Sequence, residues 1–363
     1  MAHDGTVSVG RTVKERFLLD PEVTFLNHGS FGATPRAVFE RYQAWQLELE
    51  RDPVDFIARR LEPLLDEARA ELGAFVGVRR DDLTFVQNAT HGVNVAARAL
   101  GLEPGDEVVS TNLEYGACIF TWRRLCTFVE APWDELFDHV TERTKAVFVS
   151  HITSETALLL PVEEIVREAR ARGLATVVDG AHAVAQVDLD LDAIGADFYA
   201  GNCHKWLSAP KGSGFLHVRP EWQSHVDGVI TSWGYEEPAT FVMRTERQGT
   251  RDPAAYLSVP TAITFFREHD DRARCVALCR EARCDLCELL GTEPIAPDEM
   301  VLQMASVRLP EPDPGLNERL FREHKIEIPV SHDGTLLRIS IAAYNDRDDV
   351  DRLLAALARE LHA

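Results

Sequence analysis

The sequence predicts an α/β protein, a mostly parallel sheet covered by helices, followed by a smaller α+β domain. Three observations carry that prediction. From about Leu72 to Arg219, short β-rich runs alternate with helical stretches. After about Val259 the order changes to helix, strand, helix, strand, helix. The 363 residues exceed the roughly 150 that one domain usually holds, so two domains are expected, with a boundary near residue 255.

The expected strands of the first part are Leu83 to Val86, Glu107 to Ser110, Ala146 to Ser150, Ala175 to Val178, Phe198 to Ala200 and Gly214 to Val218. Helical runs fall between them, among them Val93 to Leu100 and Val162 to Arg172, the latter stopped by Gly173 as a C-cap glycine. The second part reads as helix over Thr261 to Leu290, strand over Met300 to Leu309, helix over Gly315 to His324, strand over Leu336 to Ala342 and helix over Asp346 to Leu361. No internal repeat or low-complexity segment interrupts this order.

With 45% hydrophobic and 27% charged residues, the chain has the composition of an ordinary globular protein. Its net charge of −21 argues against a nucleic-acid partner, which needs a basic surface. Met1 to Arg11 carries no apolar leader, and no run approaches the ~18 apolar residues of a membrane span, so a cytoplasmic protein is expected. Four of the seven cysteines, Cys275, Cys279, Cys284 and Cys287, crowd together on an expected helix. At about 100° per residue the first pair and the second pair point to different faces, so they read as reduced thiols and not as a metal cage or disulfides.

Ligands of open α/β sheets bind beyond the carboxyl ends of the strands. The segments there are Asn88-Ala89-Thr90, Asn112 to Gly116, His151 to Thr156, Asp179 to His182 and Asn202 to Lys205. Lys205 is one of only five lysines among 38 basic residues. In a chain biased toward arginine, a lysine inside an apolar stretch suggests an amine that must lose its proton and attack a carbonyl. Asp179 ends the apolar run Ala175 to Val178 and reads either as a helix-capping turn residue or as a buried carboxylate with a cationic partner. Lys205 follows 26 residues later, which suits neighbouring strand ends. A carboxylate for a ring nitrogen and a lysine for a Schiff base are the two protein groups that pyridoxal 5'-phosphate requires. Asn88-Ala89-Thr90-His91-Gly92 opens a helix and reads as a plain N-cap or as a phosphate cradle. Tyr115 reads as a stacking ring or a packed loop residue, and His182 as a donor to the ring hydroxyl or a residue packed below it.

Val178-Asp179-Gly180-Ala181-His182, Cys203-His204-Lys205 and Gly249-Thr250-Arg251-Asp252-Pro253 together resemble the class V aminotransferase group of fold-type I pyridoxal-phosphate enzymes. Phe25 to Gly32, His151-Ile152-Thr153-Ser154 and Ile326 to Val330 resemble its isopenicillin N epimerase-like branch, and the likeness runs from about Phe25 to Leu361. The resemblance implies a seven-stranded-type sheet in a cofactor-binding domain over residues 25–255, a small domain over 256–363, and an N-terminal segment, 1–24, near the substrate. It implies that Lys205 carries the cofactor, Asp179 pairs with the pyridinium and Tyr115 stacks on the ring, with His182 also at the cofactor. Thr90, Asn202 and His204 would hold the phosphate beside Asn88 and Ala89, Ser154 would join the cofactor contacts, and Thr250 would reach in from a second subunit. Asn27 and His28 would lie near the substrate, and Arg338 would pair bidentately with its carboxylate. A homodimer with shared active sites and an amino-acid substrate are the implied partners.

The motifs leave the reaction open among epimerisation, C–S β-elimination and transamination, because all three begin by removing the Cα proton. A non-catalytic cofactor-binding protein is the reading from another class, and the presence of Lys205, Asp179 and Arg338 counts against it. A nicotinamide dehydrogenase lacks support, since no G-x-G-x-x-G follows the first strand. Cysteine desulfurases carry a cysteine on a C-terminal loop, whereas Asn317 to Leu337 contains none, which argues against the usual persulfide route. Cys203 beside His204 reads as a packing residue, because neighbours in extended chain point to opposite sides. Lys211, in the turn Pro210 to Gly214, is the weaker Schiff-base candidate. Specificity is expected from the N-terminal segment, Ser232 to Thr250 and Ser331-His332-Asp333, with Trp233 and Tyr235 lining a pocket or packing at a subunit contact.

Overall fold

The computed structural model describes residues 13–360, so residues 1–12 of the expected N-terminal segment, and Leu361, lie outside the described residues. Packing divides the described residues into two compact units. One comprises Val38–Ser154 and Leu160–Thr264. The other comprises the described residues up to Ala37, Glu155–Leu159 and those from Phe265 onward. Residues 25–37 thus group with the C-terminal unit, unlike the division near residue 255 expected from sequence.

The C-terminal unit opens with β1 (Thr24–Phe25). The larger unit holds β2 (Leu83–Val86), β3 (Glu107–Thr111), β4 (Thr127–Ala131), β5 (Thr144–Ser150), β6 (Ala175–Gly180), β7 (Phe198–Asn202) and β8 (Gly214–Val218). These seven form one sheet in the order β2-β8-β7-β6-β5-β3-β4. β4, β3, β5, β6 and β7 run parallel, β8 is antiparallel to β7, and β2 is antiparallel to β8. β2 therefore points the same way as the parallel set, and six strands end on one edge. β2, β3, β6, β7 and β8 are buried throughout, and β5 all but throughout, as expected for a sheet covered on both faces.

Sequence reading missed β4. It is an edge strand whose first four residues are exposed or half-buried, so it lacks the continuous apolar run of its neighbours. The helices Ala89–Ala99 and Val162–Ala171 match expectation, and Gly173 takes the left-handed φ of +73° that a C-cap glycine supplies.

In the C-terminal unit β1 pairs in parallel with β10 (Ile326–Glu327), and β9 (Met304–Arg308) pairs antiparallel with β11 (Leu336–Ser340). The single helix expected over Thr261 to Leu290 is two, Val259–His269 and Arg272–Leu290, broken at Asp270-Asp271. The helices Leu316–His324 and Arg347–Glu360 complete the unit. Leu26, Leu286, Val307, Leu320, Ile339 and Leu353 share its apolar core. The cysteine cluster needs one correction: Cys287 is buried in that core with Cys275 and Cys279, and Cys284 is exposed. No helix among the described residues is long and apolar enough to cross a membrane.

Candidate active site

Hydrogen bonds between strand-end segments gather the candidate residues of the larger unit. Asp179, the fifth residue of β6, is 4% exposed, and its Oδ1 accepts the N–H of Ala181 at 2.9 Å. The Cys118 thiol, on the Gly116–Arg123 helix after β3, donates to Asp179 Oδ2 at 3.4 Å. Burial pushes the Asp179 carboxyl above its usual range, partly offset by the Ala181 N–H and, whenever Lys205 is protonated, by its charge. Capping is thus only part of its role: the side chain closes its own turn and still presents a buried carboxyl to the site.

Lys205 lies just beyond β7, half-buried, with Nζ 3.0 Å from His182 Nε2. The two residues come from adjacent strand ends, since β6 and β7 pair in parallel up to Gly180 and Gly201. Trp206 Nε1 donates to His182 Nδ1 at 3.4 Å, and Gln186 Nε2 donates to the His182 carbonyl at 2.7 Å. Lys211 is exposed in its turn, and Cys203 is fully buried with its thiol pushed upward by burial.

At the start of the Ala89–Ala99 helix, the amides are partly committed within the chain. Asn88 caps the helix, its Oδ1 accepting from His91 N–H at 2.9 Å, and Asn202 Oδ1 accepts the Ala89 N–H at 2.8 Å. Asn202 therefore acts as a brace between β7 and this helix, and Thr90 is half-buried at the second helical position. His204 Nδ1 lies 2.8 Å from the Ser213 carbonyl, which only accepts, so Nδ1 carries the ring proton. Burial lowers the His204 pKa to about 4. A phosphate dianion nearby would favour a second proton on this ring.

Tyr115 is 49% exposed at the N-cap of the Gly116–Arg123 helix. Its neighbour Glu114, which sequence reading passed over, is buried and anchors the loop: Oε1 accepts from Thr111 Oγ1 at 2.5 Å and from Ser150 N–H at 3.0 Å, and Oε2 from Ser150 Oγ at 2.5 Å. Ser154 is half-buried in the segment after β5. Thr250 is exposed and lines a cavity of about 890 Å³ with Arg69, Trp233, Glu246, Arg251 and Tyr256. None of Lys205, Asp179 and His182 lines that cavity.

The substrate candidates lie in the C-terminal unit and form a hydrogen-bonded relay. Arg338 Nη2, on β11, donates to Ser30 Oγ at 3.1 Å; Ser30 donates to Asn27 Oδ1; Asn27 Nδ2 donates to Glu327 Oε1 at 3.0 Å. Burial lowers the Arg338 guanidinium to about 10, an effect that the charge of Glu155 opposes. His28 is 1% exposed and pairs through Nδ1 with Tyr344 Oη at 2.9 Å. Ser30 and Glu327 lie in the motifs Phe25 to Gly32 and Ile326 to Val330, where residue type alone singles out neither. Nothing in a linear motif says that a serine will bridge an arginine 308 residues away.

A buried carboxylate and a lysine at adjacent strand ends, on a mostly parallel seven-stranded sheet of this order, define a fold-type I pyridoxal 5'-phosphate enzyme. The residues fit the cofactor: a protonated ring nitrogen would compensate the burial of Asp179, and Lys205 Nζ is within reach of the same strand-end edge. The chain belongs to the aminotransferase class-V family, whose model matches residues 33–353. It is 37% identical to isopenicillin N epimerase of Streptomyces clavuligerus, over 94% of this chain and 96% of that one. It is 28% identical to a probable chloroplastic L-cysteine desulfhydrase of Arabidopsis thaliana, over 98% and 87%. The fold matches the apo cysteine desulfurase of Thermococcus onnurineus NA1 with a TM-score of 0.83 at 19% identity, over all of both chains. It matches the cystine C–S lyase C-DES in complex with cysteine persulfide with a TM-score of 0.81 at 22% identity, over 93% and 98%.

Proposed function

We propose that this enzyme removes the Cα proton of an amino acid, or of a metabolite carrying an amino-acid group, and acts as an epimerase at that carbon. The observation that carries the reading is the Lys205 Nζ to His182 Nε2 contact of 3.0 Å beside buried Asp179, an amine and a carboxyl group held at adjacent strand ends. The identity to isopenicillin N epimerase, spread over nearly all of both chains, supports epimerisation. C–S β-elimination is the second reading, supported by the likeness to the L-cysteine desulfhydrase.

When bound, pyridoxal phosphate supplies a carbonyl for the substrate amine and a ring that takes up the electron pair left at Cα. The tasks of the protein follow. Asp179 keeps a proton on the ring nitrogen by charge. Lys205, as a neutral amine, accepts the Cα proton, and His182 fixes where its nitrogen sits. Thr90, Asn202 and His204 hold the phosphate, and Tyr115 covers the ring. Arg338, braced by Ser30, pairs with the substrate carboxylate, and Asn27 lies beside it. Epimerisation further requires an acid on the face opposite Lys205, whereas β-elimination requires a leaving group on the substrate.

The stretch from Asn317 to Leu337 has no cysteine, which supports chemistry without an enzyme persulfide there. Exposed Thr250 and Trp233 around one cavity suit a subunit contact, and we read the enzyme as a homodimer in which Thr250 serves its partner's phosphate site. A cytoplasmic location suits the free cysteines.

The cofactor assignment is tested by borohydride reduction. The pigment should become fixed on Lys205, and a Lys205→Ala protein that still holds covalently reducible cofactor would overturn it. The reaction is tested by screening amino acids and S-substituted derivatives in deuterated water. Inverted product with deuterium at Cα supports epimerisation, and a keto acid with ammonia supports elimination. A keto acid formed only with an amino acceptor would replace both readings with transamination.

A further inference from the structure

The contacts among Trp206, His182 and Lys205 also determine where protons sit before any substrate arrives. Trp206 Nε1 donates to His182 Nδ1 at 3.4 Å, and Lys205 Nζ lies 3.0 Å from His182 Nε2. An indole N–H only donates, and a neutral imidazole has one donor and one acceptor nitrogen. With Nδ1 accepting from Trp206, the ring proton is on Nε2. An ammonium has no lone pair, so Lys205 meets an Nε2–H only as a free amine.

We infer that Trp206 is a positioning residue that fixes the Nε2–H tautomer of His182 and thereby holds Lys205 as a neutral amine in the cofactor-free chain. The arrangement is well held. Trp206 is 6% and His182 2% exposed, Gln186 pins the His182 carbonyl, and Ser208 N–H donates to the Lys205 carbonyl at 2.9 Å to close the turn that carries both partners. Asp179, Cys118 and His204 are among the titratable groups that interact with Lys205. Asp179 favours the ammonium and so opposes the effect. Cys118 is held as a neutral thiol by burial, and His204 is neutral above about pH 4. The indole thus works against Asp179, keeping the amine nucleophilic toward an aldehyde while the carboxyl still waits for the ring nitrogen. The functional meaning rests on Lys205 being the cofactor lysine; the proton arrangement belongs to the bare chain and is tested there.

The test is competitive acylation of the full-length, cofactor-stripped protein with trace acetic anhydride across pH, read by peptide mass spectrometry. Exposed Lys145 is the internal reference. The rate at Lys205 should level off about one pH unit lower in wild type than in Trp206→Phe, a roughly tenfold difference in neutral amine at fixed pH. In a His182→Asn background the same substitution should produce no shift, because the relay is already cut. Equal midpoints in wild type and Trp206→Phe would overturn the inference, as would an equal shift in both backgrounds, which would mark Trp206 as packing alone. If Trp206→Phe does not fold, nitrogen NMR of histidine-labelled wild type decides, with protonated Nδ1 on His182 as the overturning result. Failure here leaves borohydride fixation on Lys205 unaffected, so the two readings fail separately.

Discussion

Arg338 on β11 donates to Ser30 Oγ across 308 positions of sequence, and Ser30 in turn donates to Asn27. The hydroxyl therefore sets the direction of one guanidinium nitrogen. Ser30→Ala removes that brace without removing the charge. With a hydrogen bond worth roughly 1 kcal/mol, KM should rise about fivefold while kcat changes less. Steady-state kinetics on the substrate found in the deuterium screen checks this, with Arg338→Lys as the harsher control because a lysine cannot make the forked pair.

Asn202 joins β7 to the start of the Ala89–Ala99 helix through the Ala89 N–H. In Asn202→Ala that buried amide loses its acceptor, at a cost of about 1–3 kcal/mol. Urea denaturation of the cofactor-free protein should show the loss. Fluorescence titration should show weaker binding of pyridoxal phosphate, and an unchanged denaturation midpoint would contradict the brace.

Glu114 gives a pH signature with a definite sign. Burial raises its pKa from 4.5 to about 7 against the lowering effect of its bonds to Ser150 and Thr111, and Asp179 adds a smaller push upward. The folded state then holds more protons than the unfolded state between pH 4.5 and 7, so this group's contribution is full below pH 4.5 and is lost as pH rises to about 7. Glu114→Gln abolishes the dependence. The melting temperature of the variant minus that of wild type should become more positive from pH 5 to pH 8, and parallel curves would refute the assignment.

Gly180 closes β6 directly over Tyr199. A Cβ there would lie 2.1 Å from Tyr199 Cε1, and Tyr199 Oη is itself tied to His151 Nδ1 at 2.9 Å. Gly180→Ala forces the ring aside, with an expected loss of about 1–3 kcal/mol. Thermal denaturation measures it, and a neutral effect would mean that the ring relaxes without disturbing His151.

The strands that sequence reading recovered are those buried on both faces, because burial writes an uninterrupted apolar run into the chain. The edge strand β4 was missed for the converse reason. Lys205 and Asp179 were legible because their chemistry is unusual for their surroundings and their spacing matches one crossover. Glu114, Ser30, Trp206 and Cys118 were not, since an ordinary residue becomes informative only through its partner, and the partners lie at distant positions.

The sequence by itself determined the alternation of strands and helices, the segments that meet at the carboxyl edge of the sheet, and the lysine and carboxylate that suit pyridoxal phosphate. These follow from local periodicity and residue chemistry, which survive without coordinates. The tertiary structure decided that Asn202 spends its oxygen on Ala89, that residues 25–37 group with the C-terminal unit, and that Trp206 and Lys205 share one histidine. Those facts depend on hydrogen-bond direction and burial, and both are set only when separated parts of the chain are packed against each other.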